Sequence, residues 1–221
     1  MKPGPKLAVF DCDGTLIDSQ INIIRAMASS FARHGLAAPD DHATRRIVGL
    51  SLLEAMQALL PDADLELQQS LADDYKAAFQ RLRADSALDP EPLYPGIRRL
   101  LDALHGDGWQ LAVATGKSDR GLRLALEHHG IHHLFVSLQT ADRHPSKPHP
   151  SMLRAALAEA GAQAGQAVMI GDTIFDIAMG QAAGVRSIGV DWGYHEADEL
   201  IEAGAAAVAR DAGHLQELLR G

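Results

Sequence analysis

The sequence predicts an α/β protein with a Rossmann-like doubly wound parallel sheet and an inserted α-helical domain. Two observations predict this class. From residue 109 onwards, short apolar runs alternate with longer segments of helical periodicity. The stretch 18–92, which follows the first apolar run, has helical spacing but no run typical of a strand. Because strands separated by helices require right-handed crossovers, the sheet is expected to be parallel with helices on both faces.

The elements of the expected sheet follow one another in a regular order. Strands are predicted at the apolar runs 7–10, 109–115, 134–138, 167–171 and 185–190. Helices are predicted at 118–129, 150–161 and 174–183, followed by the stop residues Gly130, Gly161 and Gly184.

The insertion interrupts this order directly after the first strand. Its predicted helical segments are marked by Ile24, Met27, Ala28 and Phe31, by Leu52, Ala55, Met56 and Leu59, and by the helix 64–83. The segment 89–96 carries three prolines, which suits a linker that re-enters the sheet. We therefore expect a core domain formed by 1–17 and 93–221 and a helical domain formed by 18–92.

The composition is that of a globular protein with an acidic surface. Of its 221 residues, 47% are hydrophobic and 22% are charged, and the formal net charge is −9. Such a chain lacks a basic surface, so neither nucleic acid nor a membrane is an expected partner. The single cysteine, Cys12, excludes an intrachain disulfide, and the first apolar segment is too short for a signal peptide. A cytoplasmic monomer or homodimer is expected.

The stretch FDCDGTLIDS places two carboxylates at the end of the first strand. Side chains alternate along an extended chain, so Asp11 and Asp13 should share one side, with Cys12 buried on the other. Two like charges this close require a cation between them or a shared proton. Gly14 permits a sharp exit from the strand, and Thr15 is expected to hydrogen-bond within the turn.

Three later strand ends carry polar groups that complement these carboxylates. In ATGKS, Thr115 and the free amides that begin at Gly116 form an anion site at a helix N-terminus. In SKPHP, Lys147 supplies a cation in a loop, and in GDTIFD, Asp172 and Asp176 flank the end of a strand. Ligands of open α/β sheets bind beyond the carboxyl ends of the strands. These groups therefore predict a site that holds Mg²⁺ and a phosphoryl group together.

These four motifs, in this order and spacing, closely resemble those of the haloacid dehalogenase-like (HAD-like) hydrolase superfamily. Within it, the chain is most similar to phosphoglycolate phosphatase-like members with a helical cap, and the resemblance covers nearly the whole chain. It implies a HAD-like core and a cap domain in place of the insertion. It also implies a Mg²⁺-dependent phosphatase that hydrolyses a small phosphorylated substrate, phosphoglycolate or a sugar phosphate, through an aspartyl-phosphate.

The resemblance implies a role for each of the central motif residues. Asp11 is the implied nucleophile. Asp13 is the implied general acid and then base, and its backbone carbonyl is an implied Mg²⁺ ligand. Thr115 and the amide of Gly116 are implied to hold the phosphoryl oxygens. Lys147 is implied to offset the charge of the nucleophile and of the transferring group.

The roles of three further residues are less sharply defined by the resemblance. Asp172 is the implied third Mg²⁺ contact. Asp176 either binds Mg²⁺ through water or orients Lys147, unless it is only a first-turn aspartate favoured by the helix dipole. Lys117 either contacts the substrate or is an exposed surface charge.

The expected cap implies two hinges and a specificity loop. The linkers near 16–19 and 90–95 would be the hinges of a lid that closes over the substrate. In similar caps, the loop that corresponds to Arg45–Leu52 reaches the site. Arg45 or Arg46 would then bind a carboxylate or a second phosphate of the substrate, unless both lie on a solvated helix face.

Individual residues argue against some of the other activities that occur with this fold. A haloacid dehalogenase has no need of the acid Asp13. A phosphonatase-like enzyme needs a lysine in the cap loop, and the only lysine of the insertion, Lys76, lies far from that loop in sequence. A sugar-phosphate mutase and a pyrophosphatase use nearly the same motifs and stay open. A non-catalytic regulatory protein is disfavoured, since a receiver needs no insertion and all the motif residues are present.

Overall fold

Residues 6–220 are described by a computed structural model of the protein. The other residues of the expected core segments, 1–5 and 221, lie outside the described residues. Within 6–220, six strands form one sheet. The strands are β1 (Leu7–Phe10), β2 (Gln110–Thr115), β3 (Phe135–Thr140), β4 (Ala167–Gly171), β5 (Arg186–Val190) and β6 (Ala207–Ala209).

All strand pairs are parallel, and the strand order is β3-β2-β1-β4-β5-β6. The chain builds outwards from β1 to β3 and then returns to the other side of β1 to add β4, β5 and β6. The order therefore reverses between β1 and β4, and doubly wound sheets bind ligands in the crevice at such a reversal. The predicted α/β class and parallel sheet are confirmed.

The central strand β1 is buried on both faces. Ala8 and Phe10 belong to one apolar core, and Leu7 and Val9 belong to the core on the opposite face. Helices cover both sides of the sheet, which explains why the sequence of β1 is a continuous apolar run and not an alternating pattern.

Ten α-helices connect and cover these strands within residues 6–220. They are α1 (Gln20–Arg33), α2 (Asp41–Arg46), α3 (Leu52–Leu59), α4 (Leu65–Ala84), α5 (Ile97–Gly106), α6 (Asp119–His128), α7 (Ser151–Ala160), α8 (Ile174–Ala183), α9 (Ala197–Glu202) and α10 (Ala212–Arg220). As predicted, Gly161 and Gly184 follow α7 and α8 directly. None of the helices in this part of the chain combines the length and apolarity needed to cross a membrane.

The first four helices fill the predicted insertion between β1 and β2. They have an apolar cluster of their own, to which Met27, Phe31 and Met56 contribute. The predicted face of α1 is slightly misplaced, because Ile24 and Ala28 are only half-buried. The helix turns its buried side towards α4, with which it makes its main contact in the insertion.

The two segments that join the insertion to the sheet pair with each other. Ile17 forms an antiparallel bridge with Leu93, and the amide of Asp18 donates to the carbonyl of Pro92 at 2.9 Å. Both chain crossings therefore lie side by side. The expected division into a core and a cap, and the role of these segments as hinges, stay predictions.

Several elements are absent from the predictions. α2 has six residues and β6 has three, which is too short for a periodic pattern to stand out. α5 did carry a readable pattern, since Ile97, Leu100, Leu101 and Leu104 are spaced as one helical face and are all buried. The prolines just before this helix favoured the prediction of a linker.

Candidate active site

The motif residues converge at the carboxyl ends of three adjacent strands. Asp11 follows β1, Thr115 is the last residue of β2, and Asp172 follows β4. Because β1 lies between β2 and β4 in a parallel sheet, these three ends lie at the same edge. This edge is also where the strand order reverses, as the sequence led us to expect.

Lys147 lies between two aspartates in the buried interior. Its Nζ is 2.9 Å from Oδ1 of Asp11 and 2.7 Å from Oδ1 of Asp176. All three side chains are at most 1% exposed. The other carboxylate oxygen of Asp176 accepts hydrogen bonds from the amide and the hydroxyl of Thr173, at 3.1 and 2.7 Å. Asp176 is thus anchored at the start of α8 and aimed at Lys147.

Asp172 is held by two groups that lie far from it in sequence. Oδ1 accepts a hydrogen bond from the Thr15 hydroxyl at 2.7 Å, and Oδ2 accepts one from the amide of Tyr194 at 3.0 Å. Thr15 was expected to bond within its own turn, and this expectation is wrong, because its hydroxyl reaches across to β4. Carboxylate oxygens of Asp11, Asp172 and Asp176 lie within 4.8 Å of one another.

This carboxylate cluster carries more negative charge than its protein partners neutralise. The ammonium of Lys147 contacts Asp11 and Asp176, and Asp172 adds a third carboxylate to the cluster, so two negative charges are left unbalanced if all three ionise. Oδ2 of Asp11 is buried and has no hydrogen-bond partner among residues 6–220. A charge deficit of two, together with a free hard oxygen ligand, suits a divalent cation such as Mg²⁺.

The pKa values of the cluster follow from its burial. Burial raises the pKa of Asp11 to about 7, although the charge of Lys147 opposes this rise. Burial also raises the pKa of Asp172, and the charges of Asp11 and Asp176 add to the effect. Burial by itself would lower the pKa of Lys147, but its two carboxylate neighbours raise it above the usual value. A bound cation would favour the ionised carboxylates.

Asp13 is separate from the carboxylate cluster. Its side chain accepts a hydrogen bond from the hydroxyl of Ser19, and its Oδ1 lies 2.8 Å from Nζ of Lys117. The Lys117 side chain is only 14% exposed, so it is not an exposed surface charge. Burial by itself would lower the pKa of Lys117, but the nearby carboxylate of Asp13 raises this pKa above its usual value. Both residues line a cavity that adjoins the site.

The end of β2 presents a hydroxyl and a capped helix. Thr115 is buried, and its Oγ1 accepts a hydrogen bond from the amide of Lys117 at 3.2 Å. Ser118 caps α6 and accepts a hydrogen bond from the amide of Gly121 at 3.1 Å. Its position as the N-cap agrees with the pattern expected of an anion site. The binding of phosphoryl oxygens by Thr115 and Gly116 stays a prediction.

The loop between α2 and α3 reaches the end of β2 through its backbone. A Cβ atom on Gly116 would lie 2.6 Å from the carbonyl oxygen of Leu50 and 3.0 Å from that of Gly49. The amide of Ser51 donates to Oγ of Ser146 at 2.8 Å. The close approach of this loop to Gly116 needs a residue without a side chain there.

Arg45 and Arg46, which were predicted to bind the substrate, face other partners. Nη1 of Arg46 lies 2.5 Å from Oε2 of Glu199 in α9, and Nε of Arg45 donates to the carbonyl of Asp41 in its own helix. Neither arginine lines the cavity beside Asp13. These contacts favour the alternative that the two side chains lie outside the substrate site, and substrate binding by Arg45 or Arg46 stays a prediction.

Replacement of Gly14 by alanine should damage the site and the fold together. Gly14 has a φ of +82°, and a Cβ there would collide with Oδ2 of Asp172 and approach the Tyr194 ring to 2.6 Å. Gly35→Ala is a matched control, since Gly35 has a φ of +67° and nothing within 4 Å of its Cβ position. Both variants carry the left-handed strain of about 1–2 kcal/mol. Denaturant unfolding should show that Gly14→Ala loses at least about 1 kcal/mol more. Equal losses would contradict the collision.

The sequence interpretation did not identify the contacts that several residues make in the site. Ser19 and Thr15 belong to the first motif, but the pattern does not show which distant atoms they contact. Thr173 was readable as a helix cap before Asp176. Tyr194 follows β5 and gave no sign of its contact with Asp172, because only the fold brings the two together.

Comparison with known proteins agrees with this geometry. Residues 8–190 match the family of haloacid dehalogenase-like hydrolases. A protein of Dickeya dadantii (strain 3937) named probable phosphatase IndB is 36% identical over 203 residues, which are 90% of this chain and 86% of that protein. The phosphoglycolate phosphatase of Rhodospirillum rubrum is 34% identical over 224 residues, covering 97% of this chain and 91% of that protein.

A solved structure from Clostridium acetobutylicum, described as that of a predicted phosphatase, superposes over almost the whole chain. Its TM-score is 0.88 at 25% sequence identity, and the match covers 99% of both chains. The family match spans the motifs at the ends of β1, β2 and β4 as well as Lys147 and Asp176. The chain therefore belongs to the haloacid dehalogenase-like hydrolase family.

Proposed function

We propose that the protein is a phosphatase that hydrolyses a small phosphate monoester with Mg²⁺, through an aspartyl-phosphate on Asp11. The observation that supports this most strongly is the buried cluster, in which Lys147 contacts Asp11 and three carboxylates share one ammonium. A divalent cation and a phosphoryl group suit such a site together, because cations offset the charge of carboxylate and phosphate alike. Relatives named as phosphatases support the same class of reaction.

In the first step, a carboxylate oxygen of Asp11 attacks the phosphorus, and the bond between phosphorus and the substrate's bridging oxygen breaks. Asp11 has one oxygen without a hydrogen-bond partner in the described chain, so a lone pair is available. Asp13 gives its proton to the departing alkoxide, which leaves as an alcohol. Nζ of Lys117 lies 2.8 Å from Oδ1 of Asp13 and holds this side chain in position.

In the second step, the carboxylate of Asp13 takes a proton from water as the water attacks the phosphorus. The bond between Asp11 and phosphorus breaks, and inorganic phosphate and free Asp11 result. The same residue thus serves as acid and then as base. The side chain of Asp13 lies on the cavity wall and outside the carboxylate cluster, which suits a group that faces the leaving alcohol and the water.

The other residues hold the reacting groups in place. The carboxylates of Asp11 and Asp172 and the backbone carbonyl of Asp13 would hold Mg²⁺, which when bound offsets charge on the phosphoryl oxygens. Lys147 stabilises the negative charge of the attacking carboxylate and of the phosphoryl group. Asp176 orients Lys147 through the 2.7 Å contact between them.

Removal of the metal should abolish the activity. The purified protein should release phosphate from a small monoester only in the presence of Mg²⁺, because the ionised carboxylates of the cluster otherwise repel the phosphoryl group. EDTA should stop turnover and excess Mg²⁺ should restore it, as measured by phosphate release. Ca²⁺ should inhibit, since it takes more ligands at longer distances. Full turnover in EDTA would refute the assignment of a metal.

A panel of phosphorylated substrates separates a phosphatase from a sugar-phosphate mutase or a pyrophosphatase of the same fold. It should contain phosphoglycolate, sugar phosphates, nucleotides and pyrophosphate, assayed with Mg²⁺. A mutase must protect its phospho-enzyme from water and return the phosphoryl group to a sugar. Isomerisation of a hexose phosphate with little free phosphate, and a need for a bisphosphate activator, would contradict the hydrolase.

A further inference from the structure

A cavity of about 350 Å³ lies next to the carboxylate cluster, a volume typical of a ligand pocket. On the side of the sheet, Asp13, Gly116 and Lys117 line it. The opposite wall comes from the insertion and is mostly apolar, with Lys76, Gln80 and Arg83 of α4 as its polar members. Its main members are Ile23, Met27, Val48, Leu52, Tyr75 and Phe79.

An aromatic pair forms part of this apolar wall. Tyr75 and Phe79 are four residues apart on α4, so they lie on one face of the helix. Their ring centroids are 5.4 Å apart at an interplanar angle of 50°. Both side chains are only half-buried, so part of each ring is still open to the cavity. The aromatic ring of a ligand packs favourably against such a pair of rings.

The charged residues of the cavity are poorly placed for a small acid. Lys117 is already paired with Asp13 at 2.8 Å. The other lining cations are exposed or half-exposed, at Lys76, Arg83 and Arg120. Most side chains of the wall that faces Asp13 are apolar and offer no hydrogen bond to a carboxylate or to sugar hydroxyls, although Tyr75 carries a hydroxyl. Burying such polar groups against the apolar side chains without partners costs free energy.

We propose that the preferred substrate is a phosphate monoester whose alcohol carries a flat, largely apolar ring, and not phosphoglycolate or a sugar phosphate. This inference rests on the proposed function, which places the leaving oxygen at Asp13. Because Asp13 lines the cavity, the rest of the alcohol must extend into it. A ring bound in the cavity shields the apolar side chains of the wall from water, whereas a two-carbon alcohol leaves most of them in contact with water.

The test compares three alkyl phosphates in the presence of Mg²⁺. Ethyl phosphate and phenethyl phosphate differ by one phenyl ring, and their alcohols have similar acidity, so the chemical step is matched. Phosphoglycolate is the third substrate. Burial of a phenyl side chain predicts that kcat/KM for phenethyl phosphate exceeds that for each of the other two by about 10- to 100-fold.

A variant of the wall separates recognition from general damage. Phe79→Ala should lower the ratio of kcat/KM for phenethyl phosphate to kcat/KM for ethyl phosphate by about 10-fold. Leu65→Ala is the matched control, since Leu65 lies on the same helix, is 52% exposed and does not line the cavity. It should change neither value. An equal loss for both substrates in Phe79→Ala would overturn the proposal.

The outcomes distinguish this inference from the function on which it rests. Mg²⁺-dependent hydrolysis without a preference for phenethyl phosphate, or with a preference for phosphoglycolate, would refute the proposed preference for a ring-bearing alcohol. The proposed phosphatase activity would still hold. No hydrolysis of any of the three, nor of p-nitrophenyl phosphate, overturns both. The comparison of substrates on the unaltered protein decides the question even if Phe79→Ala does not fold.

Discussion

Replacement of Asp11 by asparagine should abolish turnover, with a loss of at least about 10⁴-fold in kcat, as expected when a nucleophile is removed. The amide keeps an oxygen that can accept the 2.9 Å contact from Lys147, so the local packing should survive. It lacks the charge and the nucleophilicity of the carboxylate. Mass spectrometry after quenching should detect no phosphoryl adduct on the protein.

A second variant separates the loss of the nucleophile from the loss of a metal ligand. Asp172→Asn also removes one negative charge from the cluster, but it leaves Asp11 intact. Its activity should recover in part when the Mg²⁺ concentration is raised, whereas Asp11→Asn should not respond. Detectable phospho-enzyme in Asp11→Asn, or rescue of that variant by Mg²⁺, would show that another residue carries the phosphoryl group.

Replacement of Asp13 by asparagine should lower the rate by about 10²–10⁴-fold, because it removes proton transfer and keeps the nucleophile. The loss should depend on the leaving group. With p-nitrophenyl phosphate, whose phenolate leaves without a proton, the first step should recover in part. The second step still lacks its base, so the aspartyl-phosphate should accumulate and be trapped on Asp11 by mass spectrometry.

The control for Asp13→Asn removes a hydrogen bond to Asp13 without removing its proton. Ser19 donates a hydroxyl to this carboxylate, and Ser19→Ala should cost less than about 10-fold, the worth of one hydrogen bond. It should show no accumulation of the intermediate. If Asp11→Asn and Asp13→Asn were equally inactive towards every leaving group while folded and binding Mg²⁺, the division of roles between them would be mistaken.

The sequence predicted those features of the fold that are determined by residues close together in the chain. The strand β1, the helix α4 and the strand ends that carry Asp11 and Asp172 follow from apolar runs, helical spacing and stop residues, which depend on near neighbours in the chain. The convergence of these ends also follows, since parallel strands joined by right-handed crossovers bring their carboxyl ends to one edge. The parallel sheet confirmed this part of the prediction.

Only the tertiary structure decided which charge pairs with which. Lys147 lies between Asp11 and Asp176, while Lys117 pairs with Asp13. The sequence left the roles of Asp176 and Lys117 open. Burial and the choice of rotamer set these partners, and both depend on residues far apart in the chain, so no local pattern can report them.

The loop of the insertion shows the same limit most clearly. From sequence alone, Arg45 or Arg46 was a candidate contact with the substrate, unless both lay on a solvated helix face. In the fold, Arg46 pairs with Glu199, and the carbonyls of Gly49 and Leu50 approach Gly116 instead. Backbone atoms are the same at every residue, so their approach leaves no mark in the sequence except the glycine that makes room. The packing of α1, α3 and α4 likewise created the mostly apolar wall of the cavity, because a surface shared by several helices exists only once they are assembled.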